Sequence, residues 1–132
     1  LRDKRARCLS RDLSTHKSEY MTIDLTFLKD FTKGEPVKMK RYITLYLTAA
    51  PKTFEEMQKS IQDQDWEQLR IYAHSLKPQA DFMGIKTLKT ELTAIEEAAK
   101  EGDTSGILEH YNLAERIHVL STDTLNEILK EL

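Results

Sequence analysis

Trp66, Leu69, Ala73, Leu76, Ala80 and Met83 recur at alternating steps of three and four residues. A strand, with its period of two, cannot gather these side chains on one face, whereas an α-helix lines them up as the narrow apolar stripe used in helical bundles. Asp65 precedes the stripe as an N-cap and Gly84 follows it as a stop, so the spacing predicts a helix from Trp66 to about Met83. Only four glycines and three prolines punctuate the 132 residues, too few for a fold of strands and tight turns.

The remaining elements repeat this logic. Asp24 caps a short helix to Thr32 with Leu25, Leu28 and Phe31 at helical spacing, ended by Gly34 and lying as a lid across the others. Glu35-Pro36 opens a second helix, because proline in the first turn sacrifices no helical hydrogen bond. Met39, Ile43, Tyr46, Ala50, Phe54, Met57 and Ile61 keep phase through Pro51, which predicts one kinked helix, or two nearly collinear ones, over 36–62. A fourth helix over 86–100 faces inward with Leu88, Leu92, Ile95 and Ala99. The last starts near Thr104 and carries Ile107, Tyr111, Ala114, His118, Leu125 and Ile128, with a break or fraying expected at Ser121-Thr124. Short loops between long helices make neighbours antiparallel, so the expected fold is all-α: an up-down-up-down four-helix bundle with a short additional N-terminal helix.

The net charge of -2 provides no global field for nucleic acid, and no apolar run approaches the roughly 18 residues of a membrane span. Residues 1–20 hold six Lys or Arg against three Asp or Glu, so they are expected to form a basic linker or N-terminal extension to a domain over 21–132. The single cysteine, Cys8, allows no intramolecular disulfide and fits a reducing, cytoplasmic setting. No metal site is expected, since His110 and His118 are eight residues apart and His16 lies in the basic segment. His118 falls on a core line and is expected to be a satisfied interior histidine.

His74 breaks the pattern of the third helix. At 100° per residue it points roughly 120° from the stripe, into the outer half shared by Glu67, Arg70, Ile71, Pro78 and Asp81. Lys77 follows one turn on. A nearby ammonium lowers imidazole basicity, which suits a general base poorly but suits a histidine that takes up negative charge. A phosphoryl group brings that charge, and Lys77 would offset it. Ile71, Pro78, Phe82 and Ile85 are apolar on this same side; they form either a docking patch around His74 or the floor beneath the short first helix.

Ala73-His74-Ser75-Leu76-Lys77, with Gly84 ten positions after the histidine and the Leu88, Leu92, Ile95-Glu96 pattern beyond, closely resembles the histidine-containing phosphotransfer (HPt) family and its A-H-x-L-K-G signature. The resemblance implies a phosphorelay intermediate in which His74 accepts a phosphoryl group from a receiver-domain aspartate and passes it to another receiver. It implies Lys77 as charge partner of the phosphate and Glu96 as the group that orients the imidazole. Partners would be response-regulator receiver domains, and a hybrid sensor histidine kinase where the domain belongs to one. Mg²⁺ and most catalytic groups would be the receiver's, with no cofactor, kinase activity or ATP site in this chain, which is expected to be a monomer. Arg70, Ile71, Pro78, Gln79, Asp81, Phe82 and Ile85 would form the docking face. Pro78 and Gln79 depart from the family pattern, which has glycine and a small residue there.

Two other classes remain open. A histidine-kinase dimerisation helix pair would place an acidic residue after the histidine, where this chain has Ser75. A non-catalytic interaction bundle would leave His74 unphosphorylated. The lack of an initiator methionine and the basic lead-in lean toward a domain of a longer chain, with a free-standing protein as the alternative.

Overall fold

The computed structural model describes residues 23–132. The expected basic extension, with Cys8, His16 and the boundary at residue 21, lies outside the described residues. Among those described, the chain forms five α-helices and no strand: α1 Thr26–Thr32, α2 Pro36–Gln62, α3 Trp66–Phe82, α4 Lys86–Glu101 and α5 Thr104–Lys130. None of these helices is long and apolar enough to cross a membrane.

Each long helix buries the stripe that its sequence carries. Leu69, Ala73, Leu76 and Ala80 of α3 are buried, and Trp66, at the stripe's end, is half-buried. Removing each large aliphatic side chain of this stripe from water stabilises the fold by about 1.5–3 kcal/mol. Leu88, Leu92, Ile95 and Ala99 of α4 meet it, joined by Ala98. α2 runs unbroken through Pro51, as the unbroken phase requires, and Pro51 sits on the exposed side where its missing N–H disturbs no packing. At its C-terminal end Ser60 is buried and Ile61 only half-buried. The main interfaces join consecutive helices, α2 to α3, α3 to α4 and α4 to α5, and α5 returns against α2 to close the bundle.

Two expectations fail at helix ends and in mid-helix. α5 does not break at Ser121-Thr124: the Ser121 hydroxyl donates to the His118 carbonyl at 3.0 Å and Thr124 to Leu120 at 3.2 Å, so these hydroxyls bond back onto the helix instead of competing with it. In α1, Leu28 and Thr32 face inward while Phe31 is 56% exposed. Asp24 acts just ahead of the helix, its carboxylate accepting from the Thr26 N–H at 3.0 Å.

The α3–α4 turn is unusually tight against the chain entering α1. Gly84 has φ +71°, and a Cβ there would run into the carbonyl of Asp24. Asp24 N–H donates to the Gly84 carbonyl at 3.0 Å, and Ile23 pairs with Ile85 in an isolated antiparallel bridge. Only glycine combines that backbone conformation with that approach.

Candidate functional site

His74 lies in the middle of α3 between Ala73 and Leu76, which anchor the helix in the core, and its own side chain is 68% exposed. Its Nδ1 is 2.8 Å from Oε2 of Glu96, which α4 presents from across the hairpin. The ammonium of Lys77, one turn after His74, donates to the other carboxylate oxygen, Oε1, at 2.7 Å. The carboxylate is thus shared between two donors, and it is only 17% exposed.

Charge settles the tautomer. The Lys77 ammonium, helped by His74 and opposed by partial burial, holds the Glu96 carboxyl below the ordinary carboxylate range. An ionised carboxylate only accepts hydrogen bonds, so the neutral imidazole carries its hydrogen on Nδ1. Nε2 then keeps its lone pair and has no hydrogen-bond partner among the described residues, on a side chain that is mostly exposed. Such a ring is a nucleophile with one orientation.

The expected neighbours divide into three groups. Arg70 is engaged with Glu67, donating through Nε at 3.2 Å and Nη2 at 2.6 Å, and Asp81 pairs with Lys89 of α4 at 3.3 Å. Ile71 is 43% exposed, Pro78 is exposed, and Gln79 is half-buried with its amide 3.4 Å from the Ser75 carbonyl. Phe82 and Ile85 differ from the expected exposed patch. Phe82 is half-buried, its ring 5.3–5.5 Å edge-on to Phe27, Phe31 and Tyr42, so it serves as the floor under α1. Ile85 is fully buried and cannot touch a partner. The Lys77 ammonium, one turn from His74, is paired with Glu96.

Sequence reasoning missed several features. Phe27 and Phe31, four residues apart on α1, present a 56%-exposed aromatic edge beside Phe82; their spacing was visible, their direction was not. His110 of α5 lies 2.7 Å from Glu91 of α4, a second cross-helix histidine–carboxylate pair. His118 is buried as expected but not satisfied: it stacks on Phe54 at 4.4 Å and its Nδ1 has no partner. Burial lowers its pKa. Among the described residues no cluster of three His, Cys, Asp or Glu side chains could hold a metal ion.

The family model described as Hpt domain matches residues 41–132, from the second turn of α2 to the end. The crystal structure of histidine-containing phosphotransfer protein B (HptB) from Pseudomonas aeruginosa PAO1 superposes with a TM-score of 0.78 at 17% identity, covering 83% of this chain and 96% of that one. No curated protein matches the sequence. α1 and its aromatic edge precede the region matched by the family model.

Proposed function

The chain belongs to the Hpt domain family, histidine phosphotransfer modules of two-component phosphorelays that work with response-regulator receivers; from that premise we propose that His74 is the phosphoacceptor. The observation that carries this reading is the exposed imidazole whose Nδ1 is held by Glu96, leaving Nε2 free. In the proposed step the Nε2 lone pair attacks the phosphorus of a receiver's aspartyl phosphate. The N–P bond forms as the acyl O–P bond breaks, and the aspartate leaves as a carboxylate. The ring becomes a phosphoimidazolium whose Nδ1–H still points at Glu96, so the developing positive charge meets a carboxylate already in place. Return to a second receiver reverses these events.

Lys77 acts first through Glu96, whose carboxyl its ammonium holds below the ordinary range, and its positive charge one turn from His74 would offset the charge of the phosphoryl group. Arg70, Ile71, Pro78, Gln79 and Asp81 surround the acceptor as the docking face. Mg²⁺ would be supplied with the receiver, and this chain would act as a cytoplasmic monomer without an ATP site, since docking must leave the His74 face open. A hybrid sensor kinase fits the upstream place in such a relay.

Incubation with a phosphorylated receiver tests this. The expected result is acid-labile, alkali-stable label on the wild-type protein and none on His74→Gln. Absence of label on wild type across several receivers would leave a binding bundle with an inert histidine.

A further inference from the structure

Between Glu35 at its start and Glu55-Glu56 past its middle, the stretch of α2 that flanks α3 is charged in one sense only. Between Pro36 and Phe54 it carries Lys38, Lys40, Arg41 and Lys52 and no acidic residue, although the whole chain is net negative. At 100° per residue, Lys38 and Lys52 project within about 20° of Leu45, and Arg41 within about 40°. Leu45 is 57% exposed, so this strip points out of the bundle. Lys38 is 3.4 Å from Glu35, whereas Arg41 and Lys52 form no ion pair among the described residues.

This strip borders a groove of about 480 Å³ between α2 and α3, lined by Tyr42, Leu45, Ala49, Pro78, Gln79 and Phe82 among others, none of them charged. Pro78 follows His74 by one turn, roughly 6 Å along the axis, so a partner seated over Nε2 reaches the groove. The opening on the other side of Pro78 has a different character, with Asp24, Asp30, Asp81 and Lys86 on its walls. An apolar floor with a cationic border recognises an apolar ridge flanked by carboxylates, because the ridge is desolvated while the charges at the rim steer and orient the encounter.

We infer that the α2–α3 groove selects among receivers, favouring those whose docking helix presents an apolar edge flanked by Asp or Glu, with Arg41 and Lys52 reading the charge. The inference rests on the phosphotransfer reading. It names which receivers the site accepts.

The test uses a receiver domain with a leucine-rich docking helix flanked by glutamates, and its copy with those glutamates changed to lysine. Binding and transfer to each are measured for the wild-type chain, for Arg41→Glu/Lys52→Glu and for Arg41→Gln/Lys52→Gln. Wild type is expected to favour the glutamate-flanked receiver about tenfold, through the association rate. The Gln pair should abolish that preference, the Glu pair should invert it, and 0.5 M salt should collapse it, on the order of what a Debye length near 4 Å implies. The same preference in all three proteins, with His74 labelled normally, overturns the inference and leaves phosphotransfer intact. Inverted binding preference without label on His74 supports the groove and overturns the transfer reading. Equal binding of both receivers by wild type overturns the inference whether or not label transfers.

Discussion

Exchanging Glu96 for Gln changes one charge at nearly constant volume, and the geometry predicts how the site responds. The carboxylate now accepts from His74 Nδ1 at 2.8 Å and from Lys77 Nζ at 2.7 Å. An amide offers one acceptor oxygen and one donor group. The Lys77 ammonium can only donate, so it claims the oxygen and turns the NH₂ toward the imidazole. Nδ1 can accept from that group only when the ring hydrogen has moved to Nε2, which removes the lone pair that the proposed attack on phosphorus requires. The lost charge-assisted bond is worth about 1.5–3 kcal/mol. At 1.4 kcal/mol per factor of ten this corresponds to a roughly 10- to 100-fold slower transfer in Glu96→Gln. The assay is the single-turnover rate of label transfer from a phosphorylated receiver, run beside ¹⁵N NMR of the His74 ring to read its tautomer. A wild-type rate, or a slow rate with the hydrogen still on Nδ1, would refute the tautomer argument. Circular dichroism should show an unchanged helical fold, because the pair joins two helices already held by their buried stripes.

Three further perturbations follow from the same geometry. Gly84→Ala should lower the unfolding free energy by about 2 kcal/mol or more, through its positive φ and the clash with the Asp24 carbonyl. Gly34→Ala shares the left-handed backbone but has open space around it, so it should lose only about 1 kcal/mol; equal denaturant midpoints for the two variants would remove the Asp24 contact from the explanation. His118 has a folded pKa below its ordinary 6.5, so the unfolded chain takes up its proton first. Its contribution is complete above that value and declines as pH falls toward the lowered one, by at most about 1.4 kcal/mol per pH unit. His118→Phe, which keeps the stack on Phe54, should flatten this part of the stability–pH curve, and an unchanged slope would assign it to another group. Pro78→Gly should alter transfer rates among receivers, because Pro78, one turn from His74, lines both openings; identical rates and rank order for several receivers would count against a role in partner choice.

How much could be read from the chain depended on length and on distance in sequence. The stripe of α3 and the phase of α2 through Pro51 run for many turns, and repetition averages away single exceptions such as half-buried Trp66. α1 has seven residues, under two full turns, and two apolar directions fit it equally; the structure buries Leu28 with Thr32 and leaves Phe31 outside. The break expected at Ser121-Thr124 came from propensity, which long-range packing overrides in a helix already buried at Ile117, His118 and Leu125. The outward direction of His74, Ile71 and Pro78 and the place of Lys77 one turn on stood within one helix and were legible from its wheel. Glu96 is 22 residues from His74, and only the family resemblance pointed to it.

Ile85 shows why that distance matters for the site itself. Its expected place on the docking face extended the helical wheel past Phe82, but the helix ends there and Gly84 enters the left-handed region, which rotates the next side chain inward. The consequence is positional. His74 with Glu96 and Asp81 with Lys89 are both centred in sequence on Ile85, so these two cross-helix contacts share one antiparallel register set by this turn. A residue added between Gly84 and Lys86 would turn the start of α4 by about 100° relative to α3 and carry Glu96 off the line of the imidazole. Buried Ile85, its bridge to Ile23 and the Asp24–Gly84 hydrogen bond hold the turn in place from the far side. Buried Ile85 therefore acts on the site through alignment: it helps set which carboxylate meets Nδ1, and with it which ring nitrogen keeps its lone pair.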